Sequence, residues 1–142
     1  MNRIKLSLPE LFSFSINMQI RVTDLNYGGH VGNDTVLSLL QEARQQFLAS
    51  KGFKELDIEG FGLIMADAVV EYKKEMLYGN QIRIWVIATD FDKMGFDIFY
   101  KIELLSDNNS VIAVKAKTGM MLYDYTLNKK ASLTDEIIQK FN

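Results

Sequence analysis

The fold of this chain is decided by residues 21–44, which read RVTDLNYGGHVGNDTVLSLLQEAR. The stretch leaves an alternating strand, crosses a loop with three glycines in five residues and enters an amphipathic helix. Glycine lets the backbone take positive φ angles and approach another molecule closely. Because a helix start presents free N–H groups and a positive dipole end, the loop and helix predict an oxyanion-binding site.

The polar residues of this stretch are the first candidates for chemistry. His30 is the only histidine of the chain, and Asp24 and Asn26 precede it in the loop. Glu42 lies on the helix, eight residues beyond Asp34 and therefore more than two turns from the helix start.

Composition narrows the classes of function. The chain has 142 residues, of which 48% are hydrophobic and 24% charged, as expected for a single globular domain. A net charge of -2 without a basic stripe gives no reason to expect a nucleic-acid partner. With no cysteine and one histidine, we expect no disulfide, no metal and no cofactor. No apolar run approaches the ~20 residues of a membrane span and no signal peptide is evident, so we expect a soluble cytoplasmic protein without a membrane partner.

Hydrophobic periodicity predicts the secondary structure. Apolar residues alternate over 12–23, which indicates a long strand. The following helix is predicted over 34–50, capped by Asn33 or Asp34 and ended by Gly52. Its apolar positions share the spacing of a helix buried on one face: Val36, Leu39, Leu40, Ala43, Phe47 and Leu48.

The rest of the chain is strand-like. Residues 62–75 begin with a nearly continuous apolar run, which predicts a central strand that emerges at Tyr72. Further strands are predicted over 82–88, 96–105 and 111–125, before a short helix over 133–141 capped by Ser132 or Thr134. Asp67 lies inside the apolar run, and a buried carboxylate needs a partner, either an arginine or a site on a second subunit.

This order of elements predicts an α+β domain. A curved, mainly antiparallel, five-stranded sheet would wrap around one long central helix. Since such a sheet leaves an edge and an outer face open, we expect dimerisation through an edge strand or by packing of sheet faces.

Two motifs resemble one known family. The first is Asp24-Leu25-Asn26-Tyr27-Gly28-Gly29-His30-Val31-Gly32-Asn33, followed by Glu42-Ala43-Arg44 on the helix. It resembles the hotdog-fold acyl thioesterases, in the branch of the 4-hydroxybenzoyl-CoA thioesterase-like proteins and the acyl-ACP thioesterases. There the segment reads roughly D-x-D-x-x-x-H-V-N-N, and the helix carries E-x-A-R. The second match is EYKKE at 71–75 with the turn at 78–80.

The resemblance implies a single hotdog thioesterase domain over 1–142. It also implies a homodimer, assembled in some relatives into a tetramer or hexamer, with acyl-thioester sites at the subunit interface. The thioester carbonyl would sit at the helix start, which stabilises the developing oxyanion. The implied substrate-binding positions are Tyr27, Gly28, Gly29, Val31, Gly32 and Asn33, and we add Asp67 as a residue that could face the partner's site.

The chain departs from the family at its reactive positions. Asn26 stands where the 4-hydroxybenzoyl-CoA type has its catalytic aspartate, and an asparagine can orient a water or a carbonyl but cannot act as a base. Gly28 matches the catalytic asparagine of the acyl-ACP enzymes, whereas His30 and Glu75 match their histidine and glutamate.

Two mechanisms are compatible with these residues. In the first, which we favour, His30 with Asp24 or Glu75 activates water, while Asn26 and the loop amides bind the carbonyl oxygen. In the second, Glu42 is the base, either from a buried position or in the partner's site.

Each candidate also has a structural interpretation. Asp24 would cap the loop, Asn26 would tolerate a left-handed conformation, and His30 would bond a strand carbonyl. Glu42 would form an interface ion pair with Arg44, and Glu75 would be surface charge before a turn.

The sequence therefore predicts hydrolysis of an acyl thioester. Acyl-CoA is favoured over acyl carrier protein because this is one short hotdog domain, whereas the acyl-ACP enzymes generally carry two. The alternatives are a binding protein that has lost hydrolysis and a hotdog dehydratase or isomerase. The acyl group, linear or aromatic, stays open.

Overall fold

The computed structural model describes all 142 residues. The elements are β1 (Phe14–Gln19), α1 (Asn33–Ser50), β2 (Gly62–Tyr72), β3 (Gln81–Thr89), β4 (Gly95–Leu104), β5 (Val111–Asp124), β6 (Lys129–Lys130) and α2 (Asp135–Phe141). The first strand ends earlier than predicted, because the chain turns into a 3-10 helix at Val22–Asp24.

The strands form one sheet in the order β1-β3-β4-β5-β2, and every neighbouring pair is antiparallel. This confirms the predicted α+β hotdog architecture with one long central helix. A sixth strand, β6, also pairs with β5, and its two residues are too few to give a periodic signal in the sequence.

The prediction that residues 62–75 form a central strand is wrong. Strand β2 ends at Tyr72 as predicted, but it lies at the end of the sheet and pairs only with β5. Met65, Ala66, Asp67 and Ala68 are exposed. The apolar run therefore reflects an edge strand whose outer edge is unpaired, and not a strand covered on both faces.

The predicted buried face of α1 is confirmed. Its six predicted apolar positions are all buried and join a cluster of 28 buried residues with the facing strands. Gly52, at φ +82°, ends the helix, and the Phe53 N–H donates to the Leu48 carbonyl at 2.8 Å. Thr134, one of the two predicted caps, accepts a 3.2 Å bond from the Ile137 N–H at the start of α2.

A polar network lies inside this core. Arg44 is 4% exposed, and its Nε lies 2.6 Å from Glu55 Oε1. Its Nη1 donates to the Tyr100 hydroxyl at 3.2 Å, which in turn lies 2.7 Å from Thr118 Oγ1. Burial raises the pKa of Tyr100. The predicted ion pair between Glu42 and Arg44 is therefore wrong, because Arg44 points into the core.

The segment before β1 lies over the outer face of the sheet. The Leu6 N–H donates to Glu71 Oε1 at 3.0 Å, and the Phe12 ring centroid lies 6.5 Å from that of Trp85.

Neither helix has the length and apolarity needed to cross a membrane.

Candidate active site

The glycine loop is a tight turn held by its own backbone. The Asn26 N–H donates to the His30 carbonyl at 2.9 Å, and the Gly29 N–H donates to the Asn26 carbonyl at 3.1 Å. Asn26 Oδ1 accepts the Gly28 N–H at 2.8 Å. Gly29 takes the left-handed conformation, with φ +83°, so the interpretation of Asn26 as the left-handed residue is wrong.

Helix α1 begins without a side-chain cap. Its N-cap is Gly32, with φ -64° and ψ 144°, and no side chain bonds to it. The predicted caps are wrong because the helix starts one residue early, which places Asn33 and Asp34 in the first turn. A Cβ on Gly32 would lie 2.5 Å from Asp34 Oδ1, so the carboxylate of Asp34 would have to move to admit a side chain there. Apart from the Asp34 N–H, which donates to Asn33 Oδ1 at 3.1 Å, the start of α1 is therefore available to an external acceptor.

His30 and Glu75 face each other across a short gap. His30 Nδ1 lies 3.2 Å from the Val31 carbonyl oxygen, and a proton on Nδ1 would donate to that oxygen. Nε2 would then be an acceptor, 4.0 Å from Glu75 Oε1. The two segments are held together because the Val31 N–H donates to the Met76 carbonyl at 2.9 Å.

A cavity of about 310 Å³ opens beside these groups. Its walls combine polar and apolar residues and consist of His30, Val31, Asn33, Val36, Tyr72, Lys73, Lys74, Glu75, Met76 and Val114. The cavity thus brings together four of the predicted site residues, namely His30, Val31, Asn33 and Glu75.

Tyr72 lines the cavity, although its position in the sequence suggested no role for it. Its hydroxyl donates a 2.8 Å hydrogen bond to the Asn33 carbonyl oxygen. Burial, together with the nearby charge of Asp34, raises the pKa of Tyr72. The E-Y pair at 71–72, which matches the family, was the only signal that could have identified Tyr72. Its contact could not be predicted, because Asn33, which its hydroxyl bonds, is 39 residues away in sequence.

Asp24 lies apart from the cavity and is bound within its own turn. It is 3% exposed, its Oδ2 accepts the Arg21 N–H at 2.8 Å, and its Oδ1 lies 3.1 Å from Arg21 Nη2. Burial alone would raise the pKa of Asp24, but the bonds from the side chain and backbone of Arg21 hold it below its usual value. This is the geometry of a capping carboxylate.

Two other predicted carboxylates also lie outside the cavity. Glu42 is exposed on the polar face of α1, beside Ser38, Gln41 and Gln45. Asp67 is not buried as expected: it lies on the exposed edge strand and pairs with Lys117 at 2.9 Å instead of with an arginine. The hydrogen bond from Lys117 lowers the pKa of Asp67, and the Gly119 N–H adds a 3.0 Å bond.

The remaining predicted substrate-binding residues lie in the exposed part of the loop. Tyr27 is fully exposed, and Gly28 and Gly29 are exposed beside it. A Cβ on Gly28 would lie 3.1 Å from Asn26 Oδ1 and 3.4 Å from His30 Nε2, so both side chains flank this glycine.

No group of three or more histidine or acidic side chains is placed to hold a metal ion.

The chain matches one protein family over most of its length. The model of the thioesterase-like superfamily aligns with residues 20–141. The chain therefore belongs to the thioesterase-like superfamily, as its two motifs indicated. No curated protein matches the chain in sequence.

Solved structures show the same fold. A 1,4-dihydroxy-2-naphthoyl-CoA thioesterase from Synechocystis has a TM-score of 0.77 at 20% identity, over 89% of this chain and 92% of its own. A mutant of 4-hydroxybenzoyl-CoA thioesterase, complexed with 4-hydroxybenzoyl-CoA, has a TM-score of 0.81 at 12% identity, over 91% and 98%. YbaW, a probable thioesterase from Escherichia coli, has a TM-score of 0.78 at 16% identity, over 90% and 96%. At these identities the likeness establishes the hotdog fold.

Proposed function

We propose that this protein is a thioester hydrolase that cleaves acyl-CoA to a free acid and CoA. One observation carries the proposal: His30 Nε2 and Glu75 Oε1 lie 4.0 Å apart on the wall of a cavity that also contains Asn33, the first residue of α1. A base, an acidic partner and a helix start are the groups that hydrolysis of a thioester needs.

The gap between His30 and Glu75 suits a water molecule. At 4.0 Å the two side chains are too far apart for a direct hydrogen bond, but both can contact one water. His30 Nε2 would take a proton from this water as its oxygen attacks the thioester carbon. The carboxylate of Glu75 would stabilise the imidazolium that forms.

The helix start would bind the carbonyl oxygen as it becomes negative. The Gly32 N-cap supplies no side chain to the first N–H groups of α1, of which Asn33 Oδ1 accepts that of Asp34 at 3.1 Å, and the helix dipole favours an anion there. When the intermediate collapses, the carbon–sulfur bond breaks and the imidazolium returns its proton to the sulfur. Water and acyl-CoA are thereby converted to acid and CoA, and His30 is restored.

Asn26 would complete the site as a donor. Its Oδ1 is occupied by the Gly28 N–H, which leaves its Nδ2 amino group to donate to the carbonyl oxygen or to the water. Asp24 has a capping role in this mechanism, because Arg21 already occupies both of its oxygens. The second mechanism, with Glu42 as the base, requires Glu42 of a second copy of the chain.

We propose that a second copy of the chain pairs with β2. The residues from Met65 to Ala68 are exposed on an edge strand with an unpaired side, and three of these four residues are apolar. Antiparallel addition of a second β2 would extend the sheet across both subunits. Sedimentation should show a dimer, and Ala68→Lys should shift it towards the monomer; a wild-type monomer would overturn this assembly.

A binding protein without hydrolysis is the second candidate function. It is favoured by Asn26, which stands where the family resemblance places a catalytic carboxylate. In this case the cavity would hold an acyl-CoA without turning it over.

The decisive experiment is release of free thiol from a panel of short, long and aromatic acyl-CoAs, with wild type and His30→Ala side by side. We expect saturable release from at least one acyl class and a loss of on the order of 10²-fold or more in the variant. No release from any member, with acyl-CoA still raising the melting temperature, would replace the hydrolase by the binding protein. Release that His30→Ala leaves intact would overturn the mechanism.

A further inference from the structure

A second cavity adjoins the candidate active site. Its volume is about 600 Å³, and its walls come from the first residues of the chain and from the end of β2. The lining residues are Asn2, Arg3, Ile4, Lys5, Val70, Glu71, Tyr72 and Lys73. Tyr72 and Lys73 also line the first cavity, so the two cavities share a wall.

The walls of this second cavity are basic. Arg3, Lys5 and Lys73 contribute positive charges, and Glu71 is the one acidic residue among them. The carboxylate of Glu71 is already bound, since it accepts the Leu6 N–H at 3.0 Å and lies 3.3 Å from Lys73 Nζ. The hydrogen bond from Leu6 holds the pKa of Glu71 below its usual value, and the nearby Lys73 and Lys115 act in the same direction. The groove therefore presents a positive surface to an incoming ligand.

The N-terminal segment is held in place beside the groove. Leu6 is hydrogen-bonded to β2 through Glu71, and Phe12 packs against Trp85 on β3. The Lys101 ammonium lies 5.1 Å from the Phe12 ring centroid. Residues 2–5 immediately precede these contacts, which hold the segment so that Arg3 and Lys5 line the second cavity.

We infer that this groove binds the phosphate groups of the CoA nucleotide, an assignment that rests on the proposed function. Both cavities are lined by Tyr72 and Lys73, so a carrier whose thioester carbonyl lies at the start of α1 reaches the groove if it leaves the first cavity past these two residues. Arginine and lysine are the side chains that bind phosphate most strongly, arginine through paired N–H groups and lysine as a point charge. The N-terminal segment is in this way a specificity element for a phosphorylated carrier.

The test compares the double variant Arg3→Gln/Lys5→Gln with a matched control, Lys129→Gln/Lys130→Gln, which removes the same charge from exposed β6. Binding of CoA itself is measured by calorimetry at low and moderate salt. KM is measured for an acyl-CoA and for the same acyl group on pantetheine, which lacks the nucleotide.

We expect the double variant to weaken CoA binding and raise KM for acyl-CoA by about tenfold, with a shallower salt dependence. KM for acyl-pantetheine should change less than twofold, and the control should match wild type. Unchanged CoA binding, or an equal rise in KM for both substrates, would contradict the proposal that the groove binds the phosphate groups of CoA. If CoA binding is unchanged and KM rises for the same acyl group on acyl carrier protein, the basic surface serves an acidic protein and not a nucleotide.

The calorimetric arm separates this inference from the proposed hydrolysis. If wild type binds CoA, the double variant does not, and neither releases thiol, phosphate binding by the groove is supported and the hydrolase function is overturned. If thiol is released but CoA binding is equal in all variants, the hydrolase function is supported and phosphate binding by the groove is overturned.

Discussion

The Tyr72 hydroxyl lies 2.8 Å from the Asn33 carbonyl oxygen, and this hydrogen bond joins the last residue of β2 to the first residue of α1. The residues that follow Tyr72 carry Glu75 to within 4.0 Å of His30. The contact thus connects the helix start, where charge would develop, with the segment that supplies the acidic partner of the base.

Removing this hydroxyl should loosen the site. Tyr72→Phe is expected to lower the free energy of unfolding by about 1 kcal/mol, the net value of one hydrogen bond. If the helix start stabilises the transition state, kcat should also fall roughly 3–10-fold. Urea unfolding and thiol release measure the two effects, with exposed Tyr78→Phe as the control. Lost stability with unchanged kcat would show that Tyr72 supports the fold alone.

Neutralising Glu75 should slow hydrolysis without unfolding the protein. The side chain is 72% exposed, so Glu75→Gln costs little packing. Since the variant keeps the shape of the side chain and loses only the charge that stabilises imidazolium, we expect kcat/KM to fall on the order of 10-fold. Glu136→Gln, an exposed site on α2, is the control. Wild-type kinetics in Glu75→Gln would assign Glu75 to surface charge.

Replacing Asn26 by aspartate tests whether the amide of this loop residue takes part in hydrolysis. Asn26→Asp preserves the acceptor for the Gly28 N–H, so the loop should fold unchanged. Activity that is kept or raised would show that a carboxylate at position 26 can act on the thioester, as the family resemblance implies, and would overturn the donor role proposed for the Asn26 amide. Complete loss with an intact fold would mean that the Asn26 amide donates a bond that the chemistry requires. Asn26→Ala should depress turnover in either case.

Asp24 gives a prediction for stability against pH. Its pKa is lower in the folded protein than in the unfolded chain, so the folded state favours the carboxylate. The stabilisation is therefore fully present above the unfolded pKa of about 3.9 and is lost as pH falls through the folded pKa. Asp24→Asn should destabilise the protein by about 1–2 kcal/mol at neutral pH, and the difference should shrink in acid. Denaturant titrations at several pH values test this, with exposed Asp107→Asn as control; a difference independent of pH would contradict it.

The buried network predicts strong coupling between two residues. Arg44→Met leaves the carboxylate of Glu55 without its partner and should cost roughly 3–5 kcal/mol. Adding Glu55→Gln removes that unpaired charge and should recover part of the loss. A double-mutant cycle in urea measures the interaction, and strictly additive effects would show that the two side chains do not depend on each other.

Much of the site was visible in the sequence because it is local. The loop from Asn26 to His30 and the helix start at Gly32 are neighbours along the chain, so their motif places them together. Glu75 was matched to the family by its position near a strand end, and it does lie beside His30. By contrast, the roles of Asp24 and Asp67 were left open, because each depends on which cation is nearest.

The sequence by itself determined the five long strands, the two helices and the buried face of α1, since periodicity records burial directly. Only the tertiary structure decided that β2 lies at the sheet edge, because the hydrophobic pattern does not specify which strand becomes a neighbour. The contacts of Tyr72 with Asn33 and of Arg44 with Glu55 and Tyr100 were likewise decided by packing. Packing also decided that Arg3 and Lys5 line a cavity with the end of β2. Such contacts join residues that are far apart in the chain, and no local pattern encodes them.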